Sequence, residues 1–269
     1  MHTVVSRDHT DPYLFRNTAR EQIESRYETV WFQQATITHT AKKFLGKEQY
    51  DGFEGYKDKW PEHIYQCLAC DGYEQRGTPI GILSFDSPMS AHLVQMASAF
   101  DKRITIFSND PVPRGEPIQK ALTVARAFGA KLDQHKIVRL LNNGPSHTDG
   151  VTVHFEYCEP VTLGFLVHRP MTVNRAQDLI DQLGVETVDA AMGGHVKIMN
   201  QMFNETSIRG VFAAGDTMVM MKQVAIAMAD GLKAGVGAGI QIGQETSERV
   251  VREFEASELE KAKDNAVTT

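Results

Sequence analysis

Cysteine is scarce in this chain, with three in 269 residues. An odd count that small excludes the disulfide-stapled scaffold of a secreted mini-domain. Basic runs are missing, and the formal net charge is -6. Nucleic acid or an anionic membrane surface would demand the opposite electrostatic footprint. No stretch approaches the ~20 uninterrupted apolar residues of a spanning helix. The nearest, 217–243, is broken by Lys222, Asp230 and Lys233. Residues 1–11 lack an apolar core and carry Arg7, Asp8 and Asp11, so they do not read as a secretory signal. These absences predict a soluble, cytoplasmic protein with neither a nucleic-acid nor a membrane partner. The remaining composition, 42% hydrophobic and 23% charged, suffices for one large domain or two modest ones.

Asp11-Pro12 pairs an N-cap residue with proline at the first helical position. Phe15, Ala19, Ile23 and Tyr27 then recur at four-residue spacing, predicting a helix that ends near Tyr27. Residues 29–32 and 35–38 read as short strands, and 41–61 as an aperiodic surface connection. An apolar run at 78–85 predicts a buried strand. A helix over 91–100, a strand over 103–108 and a helix over 118–128, closed by Gly129, follow. This alternation argues for a parallel α/β unit. Segments 137–141 and 151–157 read as strands around the turn Asn142-Asn143-Gly144-Pro145. Beyond them come a strand at 164–168, a helix at 175–183 and a buried strand at 210–214. A long helix then carries Ala225, Met228, Leu232, Val236 and Ile240 on one face. Its Gly231, Gly235, Gly237 and Gly239 each cost about 1 kcal/mol against alanine, which predicts something packed very close to it. The charged tail from Gln244 is expected to fray at its end.

Two of the cysteines, Cys67 and Cys70, are spaced CxxC and followed by Asp71. Two intervening residues let both sulfurs lie on one turn, close enough for a small disulfide ring. One thiol then attacks as thiolate and the other resolves. A carboxylate directly after the second cysteine suits the proton this exchange releases, which makes Asp71 the candidate general acid/base. A zinc site would need a second ligand pair, and neither the solitary Cys158 nor any HxxxH supplies one, so no metal is expected. Two unreactive, half-buried cysteines are the plain alternative. Cys158, after an alternating strand, is expected to be a packed core residue.

The second informative segment is Gly210-Val211-Phe212-Ala213-Ala214-Gly215-Asp216. A strand that ends on glycine and a carboxylate before a helix puts free N–H groups beside a ligand. Its aspartate can accept hydrogen bonds from a polyol. A simple turn with a helix cap is the competing reading.

Taken in order, the CxxC-Asp-Gly segment, a nucleotide-type α/β stretch, the 210–216 segment and a small-residue helix resemble the thioredoxin reductase family of flavoproteins. These are the class II pyridine nucleotide-disulfide oxidoreductases. Cys67-Leu68-Ala69-Cys70-Asp71-Gly72-Tyr73-Glu74, with Gly164-Phe165-Leu166, looks closest to the fungal branch, which includes the dithiol oxidases of gliotoxin-type biosynthesis. The resemblance runs from about Tyr13 to Gly243. It implies an α/β fold of two FAD/NAD(P)-binding-type three-layer domains, the first truncated and interrupted by the second. Residues 1–63 and 163–269 would form the FAD-binding-type domain, and 64–162 the inserted pyridine-nucleotide-type domain with the CxxC. It also implies FAD, a redox-active Cys67–Cys70 disulfide and a homodimer. Asp216 beside Gly215 would hold the ribityl chain, and Gln223 and Val224 would approach the flavin ring. Cys70 would face the flavin, while Cys67 would exchange with a small dithiol of fungal secondary metabolism or with a protein thiol.

The sequence also departs from the pattern. Gln66 stands where the dithiol oxidases often carry a histidine. No GxGxxG appears near the start, and the strand that precedes the inserted domain is also missing. Where a phosphate-binding glycine turn belongs, the chain reads Ser84-Phe85-Asp86-Ser87-Pro88. Asp86 repels a pyrophosphate and Pro88 has no N–H to donate. Of the basic cluster for a 2′-phosphate only Arg114 remains. These features argue against NADPH and for oxygen as electron acceptor. They leave two further readings open. One is a flavin-free relative recruited to another reaction or serving as a non-catalytic partner; the other is a chain lacking segments of its complete product.

Overall fold

Four consecutive small or apolar positions, Ile80–Leu83, have the pattern of a strand covered on both faces, and in the computed structural model all four are buried. The structure describes residues 4–7, 9–30, 32, 54–56, 63–146, 148–170, 174 and 177–267. In chain order the elements are α1 (Pro12–Glu24), β1 (Ile64–Tyr65), α2 (Leu68–Asp71), β2 (Ile80–Leu83), α3 (Ser90–Ala97), β3 (Ile104–Phe107), α4 (Glu116–Ala127), β4 (Lys131–Asp133), β5 (Ile137–Asn142), β6 (Val151–Phe155), β7 (Val161–Leu163), β8 (Phe165–Val167), α5 (Gln177–Gln182) and α6 (Val224–Val267). They fall into two compact units. One takes the described residues between 3 and 42 and between 173 and 269, the other those between 43 and 172.

The 43–172 unit is an α/β sandwich. Its five-stranded parallel sheet has the order β1-β8-β2-β3-β4, and a three-stranded antiparallel sheet has the order β5-β6-β7. Side chains alternate across the parallel sheet. Ile80, Ile82, Ile104, Ile106, Phe165 and Val167 face α3 and α4, where Val94, Ala97, Leu122 and Ala125 meet them. Leu83, Phe107 and Leu166 face the antiparallel sheet and pack on Leu140, Val151, Val153 and Phe155. Each fully buried side chain of this size contributes roughly 1.5–3 kcal/mol, so both faces hold the sheet in place. On the antiparallel side, a Cβ at Gly81 would lie 2.4 Å from a Leu166 methyl, which explains the glycine.

Residues 54–56 add to the edge of β5. The Glu54 N–H donates to Val138 O at 2.9 Å, and the Leu140 N–H donates to Glu54 O at 2.8 Å. Gly55 between them has φ +89°, and a Cβ there would sit 2.1 Å from Leu140 O.

In the other unit, α1 begins as the sequence predicts, with the Asp11 carboxylate accepting from the Tyr13 and Leu14 amides at 2.8 and 2.9 Å. A small core joins Ile180, Val185 and Val196 to Ile208, Val211 and Met218. Several expectations change here. Residues 28–29 form a turn rather than the start of a strand, and 35–38 and 41–50 lie outside the described residues. Segment 210–214 is not a buried strand: Phe212 makes an isolated bridge to Glu205, and Ala214 is exposed. An apolar run buries as a strand only where neighbours pair with it. Close packing on α6 holds at one glycine, since a Cβ on Gly237 would meet Phe203 at 2.5 Å, while Gly231, Gly235 and Gly239 face open space. The long helix continues through the charged tail to Val267, and residues 268–269 lie outside the described residues. Among the described residues no helix is long and apolar enough to cross a membrane.

Gly55→Ala is expected to lower the free energy of unfolding by about 3 kcal/mol, combining a left-handed backbone with a collision against a backbone oxygen. Gly77→Ala, with φ +79° but open space around it, should cost about 1 kcal/mol. Urea titration of both variants checks the difference.

Candidate active site: a disulfide at the edge of the parallel sheet

β1 ends at Tyr65, and the chain turns into α2 at Cys67, whose backbone is still extended (φ -129°, ψ 103°). The Cys70 and Asp71 amides both donate to Cys67 O at 3.1 Å, closing a single helical turn. Leu68, 2% exposed, anchors that turn in the core. Gly72 closes it against Phe100, where a Cβ would be 2.7 Å from the ring. The sulfurs of Cys67 and Cys70 are joined in a disulfide with their Cα atoms 5.2 Å apart. Both cysteines and Asp71 are half-buried, and Ala69 between them is exposed. Cys67, Cys70 and Asp71 therefore come together as one cluster. Next to them Tyr73 is exposed, with the Arg76 guanidinium 4.0 Å from its ring centroid. Cys158 does not pack in the core as expected. It lies beyond the end of β6 at Phe155 and is exposed.

At the end of β2 the expected phosphate turn has other uses for its donors. Ser84 takes φ +74°, Phe85 is buried and Asp86 is exposed. The Ser90 amide donates to Ser87 O at 3.0 Å and the Met89 amide to Ser87 Oγ at 3.3 Å. The first N–H groups of α3 are thus engaged locally.

One buried pair escaped the sequence reading. The Tyr56 hydroxyl hydrogen-bonds His168 Nδ1 and their rings stack edge to face at 5.6 Å. They are 112 residues apart, and the only local signal was a histidine following a buried strand. Burial pushes the His168 imidazole down to about 4.

The remaining predicted residues lie in the other unit. Gly215 is buried with φ +68°, and a Cβ there would sit 3.3 Å from Ala227 on α6. Asp216 is exposed in the short turn it begins, and Gln223 and Val224 are half-buried at the start of α6. Beneath them the buried Asn204 accepts from the Ala213 amide at 3.0 Å and donates to Asp230 O at 3.2 Å. A left-handed glycine, a projecting carboxylate and a helix start suit the ribityl and ring end of a flavin. Among the described residues no glycine-rich turn stands ready for its pyrophosphate. The same unit has a shallow groove of about 350 Å³ between Arg209, Phe212, Gln241 and Glu245, which is not lined by Gly215, Asp216, Gln223 or Val224. No group of three or more His, Cys, Asp or Glu side chains among the described residues is placed to hold a metal ion.

No family model matches the chain. It is, however, 32% identical over 274 residues to thioredoxin reductase sirT of Leptosphaeria maculans, covering 90% of this chain and 81% of that protein. The chain belongs to the thioredoxin reductase family. Thioredoxin reductase tcpT of Claviceps purpurea is 31% identical over the same shares. Among solved structures, thioredoxin reductase TrxB of Bacillus anthracis superposes with a TM-score of 0.74 at 18% identity, over 91% of this chain and 85% of that one. The likeness is one of fold. As a thioredoxin reductase homologue with a CxxC disulfide, the protein is an oxidoreductase of a family of FAD flavoproteins.

The neutral His168 gives stability a defined pH dependence. Its pKa is about 4 when folded, against 6.5 when unfolded. Between these values the unfolded chain binds a proton that the folded chain refuses, so stability falls as pH drops from about 6.5 to 4. The loss attributable to this group is about 3 kcal/mol. Urea unfolding across that window should show the slope, and His168→Gln should flatten it by that amount; an unchanged slope would count against the assignment.

Proposed function

We propose that this protein oxidises a small dithiol through the Cys67–Cys70 disulfide, in fungal secondary metabolism. The observation that carries the proposal is the disulfide between two half-buried cysteines on a one-turn helix that leaves the carboxyl edge of a parallel sheet. A substrate thiolate attacks Cys67 Sγ and forms a mixed disulfide, while Cys70 leaves as thiolate. The second substrate thiol then attacks the substrate sulfur in that bond and releases Cys67. The substrate loses two electrons and two protons and becomes a disulfide; the cysteine pair gains them as two thiols. Asp71, directly after Cys70, relays the protons. FAD supplies two-electron acceptance when bound. Gly215, Asp216, Gln223 and Val224 are the residues we assign to its ribityl and ring end.

In this reading the unit of residues 3–42 and 173–269 is the flavin-type domain, the 43–172 unit, which holds β8, is the inserted domain, and the protein is a cytoplasmic homodimer. The engaged amides and the Asp86 carboxylate at the end of β2 support oxygen rather than NADPH as the partner in electron transfer. A second reading, a flavin-free relative or non-catalytic partner, is favoured by the 210–214 segment, which forms an isolated bridge and no strand.

Thiol titration of the folded protein separates them. The oxidised chain should expose one reactive thiol, Cys158, and the dithiol-treated chain three. Cys67→Ser should abolish turnover, and Asp71→Asn should slow exchange by about a hundredfold. Unchanged activity in a Cys67→Ser, Cys70→Ser double variant would transfer the case to the second reading.

A further inference from the structure

The dithiol turn is anchored in the core downstream of Cys67 and is entered upstream from a short strand. Leu68, next to Cys67, is buried, and Gly72 is wedged against Phe100. Upstream, the chain reaches Cys67 from β1, two residues long and at the edge of the sheet, with β8 as its strand neighbour. The His168 amide donates to Tyr65 O at 3.0 Å, the bond nearest Cys67 in that ladder. His168 is 2% exposed and its ring is tied to the Tyr56 hydroxyl. Tyr56, 7% exposed, follows Gly55 in the segment hydrogen-bonded along β5. A continuous set of contacts therefore runs from β5 through Tyr56 and His168 to the carbonyl two residues before Cys67.

Side-chain alternation makes the role more specific. Leu166 packs toward the antiparallel sheet, and His168, two positions on, meets Tyr56 on that same side. Leu68, next to Cys67, packs on the opposite, helical side. His168 is thus joined to the dithiol through the backbone of β1.

We propose that Tyr56 and His168 are positioning residues for the dithiol, fixing the end of β1 so that Cys67 stays in closing distance of Cys70. The inference rests on the redox reading of Cys67 and Cys70 given above. Holding the two cysteines together in advance raises their effective concentration and favours the disulfide over the dithiol.

The test is equilibration with glutathione, in a Cys158→Ser background so that the exposed thiol takes no part. The disulfide and two glutathione thiols give the Cys67 and Cys70 thiols and oxidised glutathione, with two electrons and two protons passing to the protein. Tyr56→Phe and His168→Asn should each lower the equilibrium constant for disulfide formation about tenfold, the worth of one buried hydrogen bond. That corresponds to a potential raised by about 30 mV. Val153→Ala, a deletion in the same apolar cluster, should stay within about twofold of the parent however much stability it loses. Should His168→Asn not fold, Tyr56→Phe decides alone. Positioning is overturned if the Tyr56 variant stays within twofold, or if Val153→Ala shifts the equilibrium equally. A parent protein whose disulfide does not exchange at all would sink the redox reading and this proposal together; a parent that exchanges normally beside an unshifted Tyr56 variant would sink the proposal alone.

Discussion

The pairing of β1 with β8 is the constraint on which the active-site geometry depends. It joins Ile64 to Leu166 and Tyr65 to Val167 in parallel register, closing a loop of about a hundred residues. Loop closure costs grow only slowly with length, and the buried faces of β8, which meet both the helical and the antiparallel layers, supply the offsetting burial. With β1 held there, Cys67 emerges at the carboxyl edge of the sheet. That is where open parallel α/β sheets gather their reactive groups, because successive strand ends open onto the same crevice. Ser84, Ser108 and His168 follow β2, β3 and β8 at this same edge.

What could be read from the sequence was what is locally encoded. The run from β2 to α4 alternates apolar strands with amphipathic helices, and each element depends mainly on its own residues. The CxxC turn is equally local, since four residues and one buried leucine define it. The Tyr56–His168 pair is not local, and neither residue stands out until the pairing of 54–56 with β5 and the packing of the two sheets bring them together. Cys158 was misjudged because strand alternation was carried past Phe155, where β6 stops. Segment 210–214 was misjudged for a related reason: its composition suits a strand, but strand formation needs a neighbouring backbone, and Phe212 meets only Glu205. In α6 the glycines were taken as one signal, whereas Gly237 alone sits against another element.

The two halves of the candidate chemistry are prepared to different degrees. The dithiol is complete, with its disulfide, its carboxylate and a rigid support. The residues assigned to the flavin have features set by short-range geometry, namely the left-handed Gly215 and its close approach to Ala227. Backbone conformation of this kind is local, because the same residues create it. A pyrophosphate cradle is a larger object, built from a strand, a turn and a helix N-terminus acting together.

This difference bears on which reaction the fold can support. Thiol–disulfide exchange needs only an accessible sulfur, a thiolate leaving group and a proton relay, all within one turn of helix. It therefore tolerates change elsewhere in the chain. Hydride transfer from a nicotinamide would need the end of β2 to offer free amides to phosphate, and there Ser87 already accepts from the amides that follow it. A buried, uncharged His168 on the antiparallel side of β1 adds rigidity without adding charge near the sulfurs. The exposed Ala69 and Tyr73 flank the Cys67–Cys70 pair on which the proposed dithiol chemistry rests.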